Sequence, residues 1–438
     1  MKKVAALVFL LLYEVCACGQ NPISPVGVYL ADPSARVWND GRLYIYGSLD
    51  EDCSYYCSTI NPVMRTADMK SWEYFRGAFR SAGEGDQVPY NDKVLYAPDA
   101  AFKDGRYFLF YCQPDRQNAE GVACSDSPEG PFVDGKALNV GSHNQIDPAV
   151  FIDDDGQAYY LWGQFSLKMA RLKDGMTELD TSTIRDSIIT EQDHHFHEGA
   201  FLAKRNGLYY LVYADLSRGD IPTCIGYATA ASPFGPYTYR GVIIDNNHCN
   251  PNNWNNHGSI AEFNGQWYVF YHRSTHGCNT MRKACAEPIM FMPDGTIPEV
   301  EMTSQGASGP LDSESIIEAE WACILNGNAR IKQTDSKTEA LCEMQSGDKA
   351  SYKYIDFREG TDSITIRILP PVAGGSLIVS ADKPWHKRLA LIQMEGSTDI
   401  EWQILTIPVA RIEGIHAVWL HYYGEEGTEC SIDWFRFR

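Results

Sequence analysis

Five copies of a glycine-led aromatic strand, a 12% aromatic content and a change of pattern near residue 306 predict an all-β protein. The predicted architecture is a five-bladed β-propeller at 21–305 and a jelly-roll-like β-sandwich at 315–438, joined by a Gly/Ser/Pro-containing linker at 306–314. At 438 residues the chain is too long for one typical hydrophobic core, which agrees with two domains.

The repeat is a turn glycine followed by a strand rich in Tyr, Phe, Trp and β-branched residues. Turn sequences such as Asn39-Asp40-Gly41 make each copy the second arm of a hairpin. Spacings of 64, 51, 51 and 58 residues suit a four-stranded blade with variable loops. Five units therefore predict five blades, and the copies begin at Gly41, Gly105, Gly156, Gly207 and Gly265.

The first arm of each hairpin begins with an ionisable residue. Asp32, Asp147 and Glu198 precede their glycines by nine residues, His257 by eight, and Asp99 by only six. Because equivalent positions of successive blades form a ring about a propeller's axis, three carboxylates and a histidine are predicted to converge at one mouth. Crowded carboxylates repel and are costly to desolvate, so the cluster indicates chemistry or a bound cation. The alternative interpretation is that Asp-Pro and Glu-Gly are ordinary strand-start dipeptides.

Two carboxyl groups facing a cleft, one protonated and one ionised, are the minimal equipment for hydrolysing a glycosidic bond. From about residue 21 to 303 the chain resembles glycoside hydrolase family 43. The residues that carry the resemblance are Ala31-Asp32-Pro33, Ala97-Pro98-Asp99, Ile146-Asp147-Pro148, His197-Glu198-Gly199, Asn256-His257-Gly258, and Arg282 ahead of Ala286-Glu287-Pro288.

This resemblance implies a role for each acid. Asp32 is expected to be the general base that activates water, Glu198 the general acid, and Asp147 the group that orients Glu198 and raises its pKa. The family inverts anomeric configuration, so the Asp32 and Glu198 carboxyls are expected to lie about 6.5–9.5 Å apart. Arg282 matches an arginine that contacts substrate near the cleavage site, and its donor fork suits vicinal hydroxyls.

Two further residues are candidate substrate contacts, and one is a candidate ion ligand. Tyr96 is expected to stack on a sugar ring, and Asp99 is expected to support the substrate site. His257 matches a family histidine associated with a central calcium or other ion. Because imidazole is a poor ligand for a hard cation, water oxygens would supply most contacts; the alternative is a histidine bonded only to water.

The implied function is release of a pentose from plant cell-wall polysaccharides or oligosaccharides, as an α-L-arabinofuranosidase or a β-D-xylosidase. The resemblance does not separate these two activities. An endo-arabinanase, a galactosidase on the same fold and a non-catalytic sugar-binding propeller stay open as alternatives.

The C-terminal 120 residues or so resemble carbohydrate-binding module family 6, through Glu318-Ala-Glu320, Gly347-Asp348 and Ile432-Asp433-Trp434-Phe435 among other segments. The resemblance implies a structural calcium site at Glu318, Glu320 and Asp433. The family's usual aromatic after Gly-Asp and asparagine before the final Ile-Asp-Trp are replaced by Lys349 and Ser431. The sandwich is therefore predicted to be a structural partner of the propeller, or to bind sugar by another surface.

A net charge of −20 argues against a nucleic-acid partner, because phosphate binding needs clustered Lys and Arg. Residues 1–20 are typical of an export signal, with Lys2 and Lys3 ahead of an apolar run. The segment ending at Cys18 also resembles a lipoprotein box, which would anchor the chain through a lipid. We expect a monomer that is periplasmic, an outer-membrane lipoprotein or extracellular.

The cysteines do not form a regular disulfide pattern, because an odd number, eleven, stand from Cys53 onward. Cys53 and Cys57 are spaced for a local bridge or for half of a metal site. No second pair of matching spacing accompanies them, which disfavours zinc.

Overall fold

The computed structural model describes residues 12–16, 19–143, 145–219, 224–249, 255–335, 337–396 and 401–438. The predicted export signal, including Cys18, lies largely outside these residues and stays a prediction. Within it, the backbone of β1 (Leu12–Cys16) pairs antiparallel with the strand Ser71–Arg80. No helix in the described part of the chain is long and apolar enough to cross a membrane.

Five antiparallel sheets form the propeller, and within each one the blade's own strands follow chain order outward from the innermost strand. Blade 1 contains β2 (Tyr29–Val37), β3 (Leu43–Asp50), β4 (Ile60–Thr66) and β5 (Ser71–Arg80), with β1 at its outer edge. Blade 2 contains β6 (Tyr96–Lys103), β7 (Arg106–Cys112), β8 (Glu120–Ser125) and β9 (Val133–Ala137), and blade 3 contains β10 (Ala149–Ile152), β11 (Ala158–Trp162), β12 (Lys168–Leu172) and β13 (Leu179–Arg185). After the short helix α1 (Glu191–His194), blade 4 contains β14 (Phe196–Arg205), β15 (Leu208–Asp215), β16 (Cys224–Ala230) and β17 (Thr238–Asp245), and blade 5 contains β18 (Ser259–Phe263), β19 (Gln266–Ser274) and β20 (Arg282–Ile289).

Each repeat glycine stands one or two residues before the second strand of a blade, at β3, β7, β11, β15 and β19. These strands are rich in aromatic residues because both faces are covered by neighbouring blades. Phe110 of β7, for example, packs on Tyr160 of β11 with ring centroids 5.5 Å apart. The predicted five-bladed propeller is therefore confirmed.

The ring closes where the start of the propeller meets its last blade. Asn21 donates its backbone N–H to Ser304 (3.0 Å), and Ile23 donates to Ala284 of β20 (2.8 Å). The Asn21 side chain also donates to the Glu287 carboxylate at 2.8 Å. Blade 5, which has three strands of its own, is thus edged by the segment that precedes blade 1.

A two-sheet β-sandwich follows, as the sequence predicted. One sheet contains β21 (Leu311–Asp312), β23 (Ile324–Asn326), β26 (Lys349–Asp356), β28 (Gly375–Ala381), β29 (Arg388–Met394) and β31 (Ile415–Gly424). The other contains β22 (Ile317–Glu318), β24 (Arg330–Gln333), β25 (Glu339–Met344), β27 (Thr361–Leu369), β30 (Gln403–Ile412) and β32 (Cys430–Phe437), and short 3₁₀ turns occupy Gly306–Ser308 and Ala319–Trp321. Cys323 of the sandwich packs in one buried cluster with Tyr271 and Cys285 of blade 5, so the two domains share a core.

A disulfide joins Cys53 in the loop after β3 to Cys278 in the loop after β19. Cys57 is free, so of the two possibilities that the spacing of Cys53 and Cys57 left open, the local bridge does not form. The ring brings the loops of blades 1 and 5 together, and it is this closure that pairs cysteines 225 positions apart.

Candidate active site

Four of the sequence-predicted residues lie within or just before the innermost strands of their blades. Asp32 lies in β2, Asp147 just before β10, Glu198 in β14 and His257 just before β18. The strand register shifts beside both Asp32 and Glu198, which turns these side chains away from regular pairing. Asp32 and Asp147 also adopt left-handed backbone conformations, with φ of 54° and 60°. Such conformations cost about 1–3 kcal/mol and cluster at functional sites.

These residues converge on one cleft, as the repeat register predicted. His257 Nδ1 lies 3.8 Å from Asp32 Oδ1 and 3.9 Å from Asp147 Oδ2. The cleft is lined by Asp32, Tyr56, Cys57, Tyr96, Ile146, Asp147, Gln164, Glu198, Asn255, His257 and Arg282.

Asp32 is buried and held by strong donors. Arg282 Nη1 donates to its Oδ1 at 2.9 Å, and the Ser48 hydroxyl donates to its Oδ2 at 2.7 Å. Burial by itself raises the pKa of Asp32, but the positive charge of Arg282, with smaller contributions from His257, His272 and Ser48, outweighs it and lowers the pKa to about 2. Asp32 is therefore a carboxylate throughout the neutral range.

Arg282 is fixed in turn by Asp50 at the end of β3. Its Nε and Nη2 donate to the two Asp50 oxygens at 2.8 and 2.9 Å, and its backbone N–H donates to Asp50 at 3.1 Å. The Tyr56 ring lies 5.2 Å from the guanidinium carbon. This bidentate clamp aims the remaining nitrogen at Asp32. Sequence reasoning missed Asp50, which no repeat position marks.

His272 holds the backbone of Asp32 in place. Its Nδ1 accepts the Asp32 N–H at 3.0 Å, so its proton is on Nε2, which lies 2.8 Å from Asn255 Oδ1. Burial, with the nearby Arg282 charge, lowers the pKa of His272 to about 3, so the ring is neutral. The sequence signal for this residue was a histidine inside an otherwise aromatic repeat strand, Tyr271-His272.

Asp147 has the opposite electrostatic environment. Burial raises its pKa well above the usual value, and the negative charges of Glu198, Asp32 and Glu120 raise it further. Its backbone N–H donates to Cys112 Sγ at 3.2 Å. The cleft thus contains one carboxyl group stabilised as the anion, at Asp32, and one stabilised as the acid, at Asp147.

Glu198 reaches the same cleft from blade 4. Gln164 Nε2 donates to Glu198 Oε2 at 2.8 Å, and His197 Nε2 lies 3.8 Å from the same oxygen. The next residue, Gly199, has a φ of 67°, and a Cβ atom there would lie 2.8 Å from the His257 ring. A glycine is needed at this position because of both the backbone conformation and the close approach of the imidazole.

Of the candidate substrate contacts Tyr96 and Asp99, only Tyr96 lines the cleft. Tyr96 lines the cleft, with its hydroxyl 2.8 Å from that of Tyr55. Asp99 does not line it: its carboxylate is 1% exposed, pairs with Arg36, and accepts from Ser34 and the Val150 N–H. The expected substrate contact at Asp99 is corrected, because its buried carboxylate is occupied by donors from blades 1 and 3 and by the Ala100 N–H of its own strand.

The candidate metal ligands differ in how well they fit a cation. Asp433 pairs with Arg367, whereas Glu320 has a buried Oε2 without a hydrogen-bond partner. Burial, with the charge of Asp433, raises the pKa of Glu318 to about 7; burial and the charge of Glu318 raise that of Glu320 well above its usual value. Glu318 and Glu320 are thus crowded, mostly buried carboxyl groups whose ionised forms are disfavoured. Across the described segments, however, no group of three or more His, Cys, Asp or Glu is arranged to hold a metal. His257 therefore belongs to no such group either.

Comparison with known proteins identifies the families of the two domains. The family model described as glycosyl hydrolases family 43 matches residues 20–297, and that of carbohydrate binding module family 6 matches residues 318–438. A xylosidase/arabinosidase of Thermoclostridium stercorarium is 29% identical over 92% of this chain and 96% of its own length.

Two solved structures resemble the chain. The first is a β-xylosidase/α-arabinofuranosidase from a compost microbial metagenome, solved with xylotriose in a calcium-free form; it is 30% identical, with a TM-score of 0.56, over 65% of this chain and 98% of its own. The second is an arabinoxylan arabinofuranohydrolase from Bacillus subtilis, with a TM-score of 0.55 and 24% identity over 96% of this chain and 97% of its own, and it supports the two-domain fold.

Proposed function

Since this chain belongs to glycosyl hydrolase family 43, we propose that it releases pentose residues, arabinofuranose or xylose, from plant cell-wall polysaccharides or oligosaccharides with inversion at the anomeric carbon. The observation that carries the proposal is that Asp32, a carboxylate held by Arg282, and Glu198 line the same cleft. The xylosidase/arabinosidase name of a relative that spans both domains supports the choice of a pentose.

In the proposed reaction Asp32 accepts a proton from water as the water oxygen attacks the anomeric carbon. The bond from that carbon to the glycosidic oxygen breaks, and Glu198 gives its proton to the departing oxygen. The Arg282 contact aligns the Asp32 oxygen and compensates its buried charge. After the reaction Asp32 is protonated and Glu198 is ionised, and proton exchange with solvent restores both groups.

Asp147 is proposed to keep a proton available in the cleft. Burial and the charge of Glu198 raise the pKa of Asp147 well above its usual value, so Asp147 keeps its proton to a higher pH than an isolated carboxyl group would. A retained proton near neutral pH is what a general acid requires. Gln164, which donates to Glu198 Oε2, is proposed to fix the orientation of the acid.

Aryl glycosides test this function directly. The wild-type protein should hydrolyse 4-nitrophenyl α-L-arabinofuranoside or β-D-xyloside faster than the β-D-galactoside, and proton NMR of the first product should show the inverted anomer. Hydrolysis of internal bonds in arabinan without pentose release would favour the endo-acting alternative. Sugar binding without turnover of any glycoside would favour the non-catalytic alternative.

We further propose that the sandwich binds structural calcium through Glu318 and Glu320, where crowding and the unpartnered oxygen favour a cation. Asp433 would contribute a ligand only if its ion pair with Arg367 were broken. The melting temperature with 1 mM calcium is expected to exceed that with EDTA, and a Glu320→Gln variant should lose the difference. Equal melting temperatures for the wild-type protein under both conditions would contradict this.

A further inference from the structure

Arg282 and Lys283 are neighbours in β20 whose side chains leave opposite faces of the strand. Arg282 points into the cleft and holds Asp32. Lys283 points away from it, and its Nζ lies 2.6 Å from the Oε2 of Glu339, the first residue of β25 in the sandwich. Both side chains of this pair are nearly inaccessible, at 2% and 1% exposure. One strand therefore contacts the candidate active site and the second domain at consecutive residues.

The Glu339 carboxylate is fully engaged at the domain boundary. Its Oε1 accepts the Gly27 N–H at 3.1 Å and the Tyr29 hydroxyl at 3.2 Å, both from the propeller. Lys283 Nζ also donates to the Pro25 carbonyl at 3.2 Å. Removing one charge from such a buried pair leaves the other uncompensated, which is far more costly than losing a surface ion pair.

The loop at 275–281, which leads into Arg282, is held from two sides. On the sandwich side, Ile331 donates its N–H to Thr275 O at 3.1 Å, and a Cβ atom at Gly277 would lie 2.3 Å from Arg330 Nε. On the propeller side, Cys278 forms the disulfide with Cys53. The sandwich is thus part of the support for the hairpin that presents Arg282.

We propose that Glu339 of the sandwich is a positioning residue for Arg282. It fixes Lys283 and the start of β20, and through them it holds the guanidinium against Asp32. The sandwich then completes the hydrolytic site of the propeller without touching substrate. This inference rests on the proposed glycosidase function.

A double-mutant cycle in the full-length protein separates positioning from general support. Glu339→Gln is expected to lower kcat/KM for the preferred aryl pentoside about tenfold, and Arg282→Lys about a hundredfold. If Glu339 acts through Arg282, the double variant should equal Arg282→Lys within twofold. Losses that multiply to about a thousandfold, or a Glu339→Gln variant within twofold of wild type, would overturn the proposal.

Glu301 provides the matched control. Its carboxylate also crosses the domain boundary, to Lys353 and Tyr354, but it is about half exposed and lies outside β20. Glu301→Gln should leave kcat/KM within twofold of wild type, and a tenfold loss there would show that any weakened interface impairs the site. If Glu339→Gln does not fold, Tyr29→Phe replaces it in the cycle. A two- to threefold loss that vanishes in the Arg282→Lys background is then expected, and a loss that persists there overturns the proposal.

A crystal structure of Glu339→Gln distinguishes failure of this inference from failure of the proposed function. Inactivity of the wild-type protein on every glycoside would refute the function and leave the positioning question to the structure. The Arg282 guanidinium is expected to move off Asp32 in the variant. An Arg282 Nη1 to Asp32 Oδ1 distance unchanged from 2.9 Å would refute the positioning role whatever the activity.

Discussion

Arg282 Nη1 donates to Asp32 Oδ1 at 2.9 Å, while Asp50 occupies the other side of the same guanidinium with two hydrogen bonds. This contact determines the protonation state of the proposed base. It holds the pKa of Asp32 at about 2 even though burial acts in the opposite direction.

The Arg282–Asp32 contact predicts a change in the acid limb of the pH profile. Asp32 must be ionised to act as a base, so its contribution to kcat/KM is lost as the pH falls through its pKa. Arg282→Met removes the largest lowering influence, so the limb should move upward by about one to two pH units, and activity should fall. The measurement is kcat/KM from pH 2.5 to 7. An acid limb at the wild-type position would contradict this account.

If Glu198 is the general acid, replacing it should greatly reduce activity without unfolding the protein. Glu198→Gln keeps the shape and the contact with Gln164 but removes the transferable proton, so kcat should fall about 10²- to 10⁴-fold. Leaving groups that need little protonation should lose less. Glu262→Gln is the control, because Glu262 is an exposed residue of the inner strand β18. Equal activity of Glu198→Gln and wild type would refute the assignment of the acid.

Asp147 is expected to lower the stability of the folded protein near pH 7, although activity depends on it. Because its pKa is raised by burial and by Glu198, folding near pH 7 requires it to take up a proton that the unfolded chain has lost. Asp147→Asn removes this cost, so its melting temperature at pH 7 should exceed that of wild type by about 2–4 °C. The gain should disappear below about pH 4, where the unfolded chain is protonated as well. Activity should fall, and a variant less stable than wild type at pH 7 would count against the raised pKa.

A side chain at Gly199 is expected to cause both backbone strain and a steric clash with His257. Gly199→Ala requires an alanine at a φ of 67° with its Cβ 2.8 Å from the His257 ring, so we expect a loss of about 1–3 kcal/mol and a displaced imidazole. Gly207→Ala is the matched control, because its φ is 77° but no atom lies within 4 Å of an added Cβ. Urea unfolding and kcat/KM of both variants provide the test. Only Gly199→Ala should lose activity as well as stability, and equal activities would contradict the steric argument.

Positions fixed by the repeat could be predicted from sequence, and positions outside it could not. Asp32, Asp147, Glu198 and His257 stand at nearly equal offsets from their glycines, so a propeller places them together. Asp99 departs from that offset by three residues, and its carboxylate ties blades together without lining the cleft.

Other parts of the site depend on ring closure, which no local pattern encodes. Asp50 ends a second strand, and its partner Arg282 is 232 positions away in the last blade. The Cys53–Cys278 disulfide links the same two blades. The buried Lys283–Glu339 pair depends on how the second domain packs, and neither residue belongs to a recognisable motif.

The closure of blade 5 against the segment at Asn21 also has a consequence for the time at which activity can arise during synthesis. Asp32 is among the first residues of the propeller to be made, whereas His272 and Arg282, which hold its backbone and its carboxylate, are among the last. A nascent chain that ends before blade 5 lacks both of these partners. The polypeptide should therefore become a hydrolase only after its final blade has been translated and joined to the first.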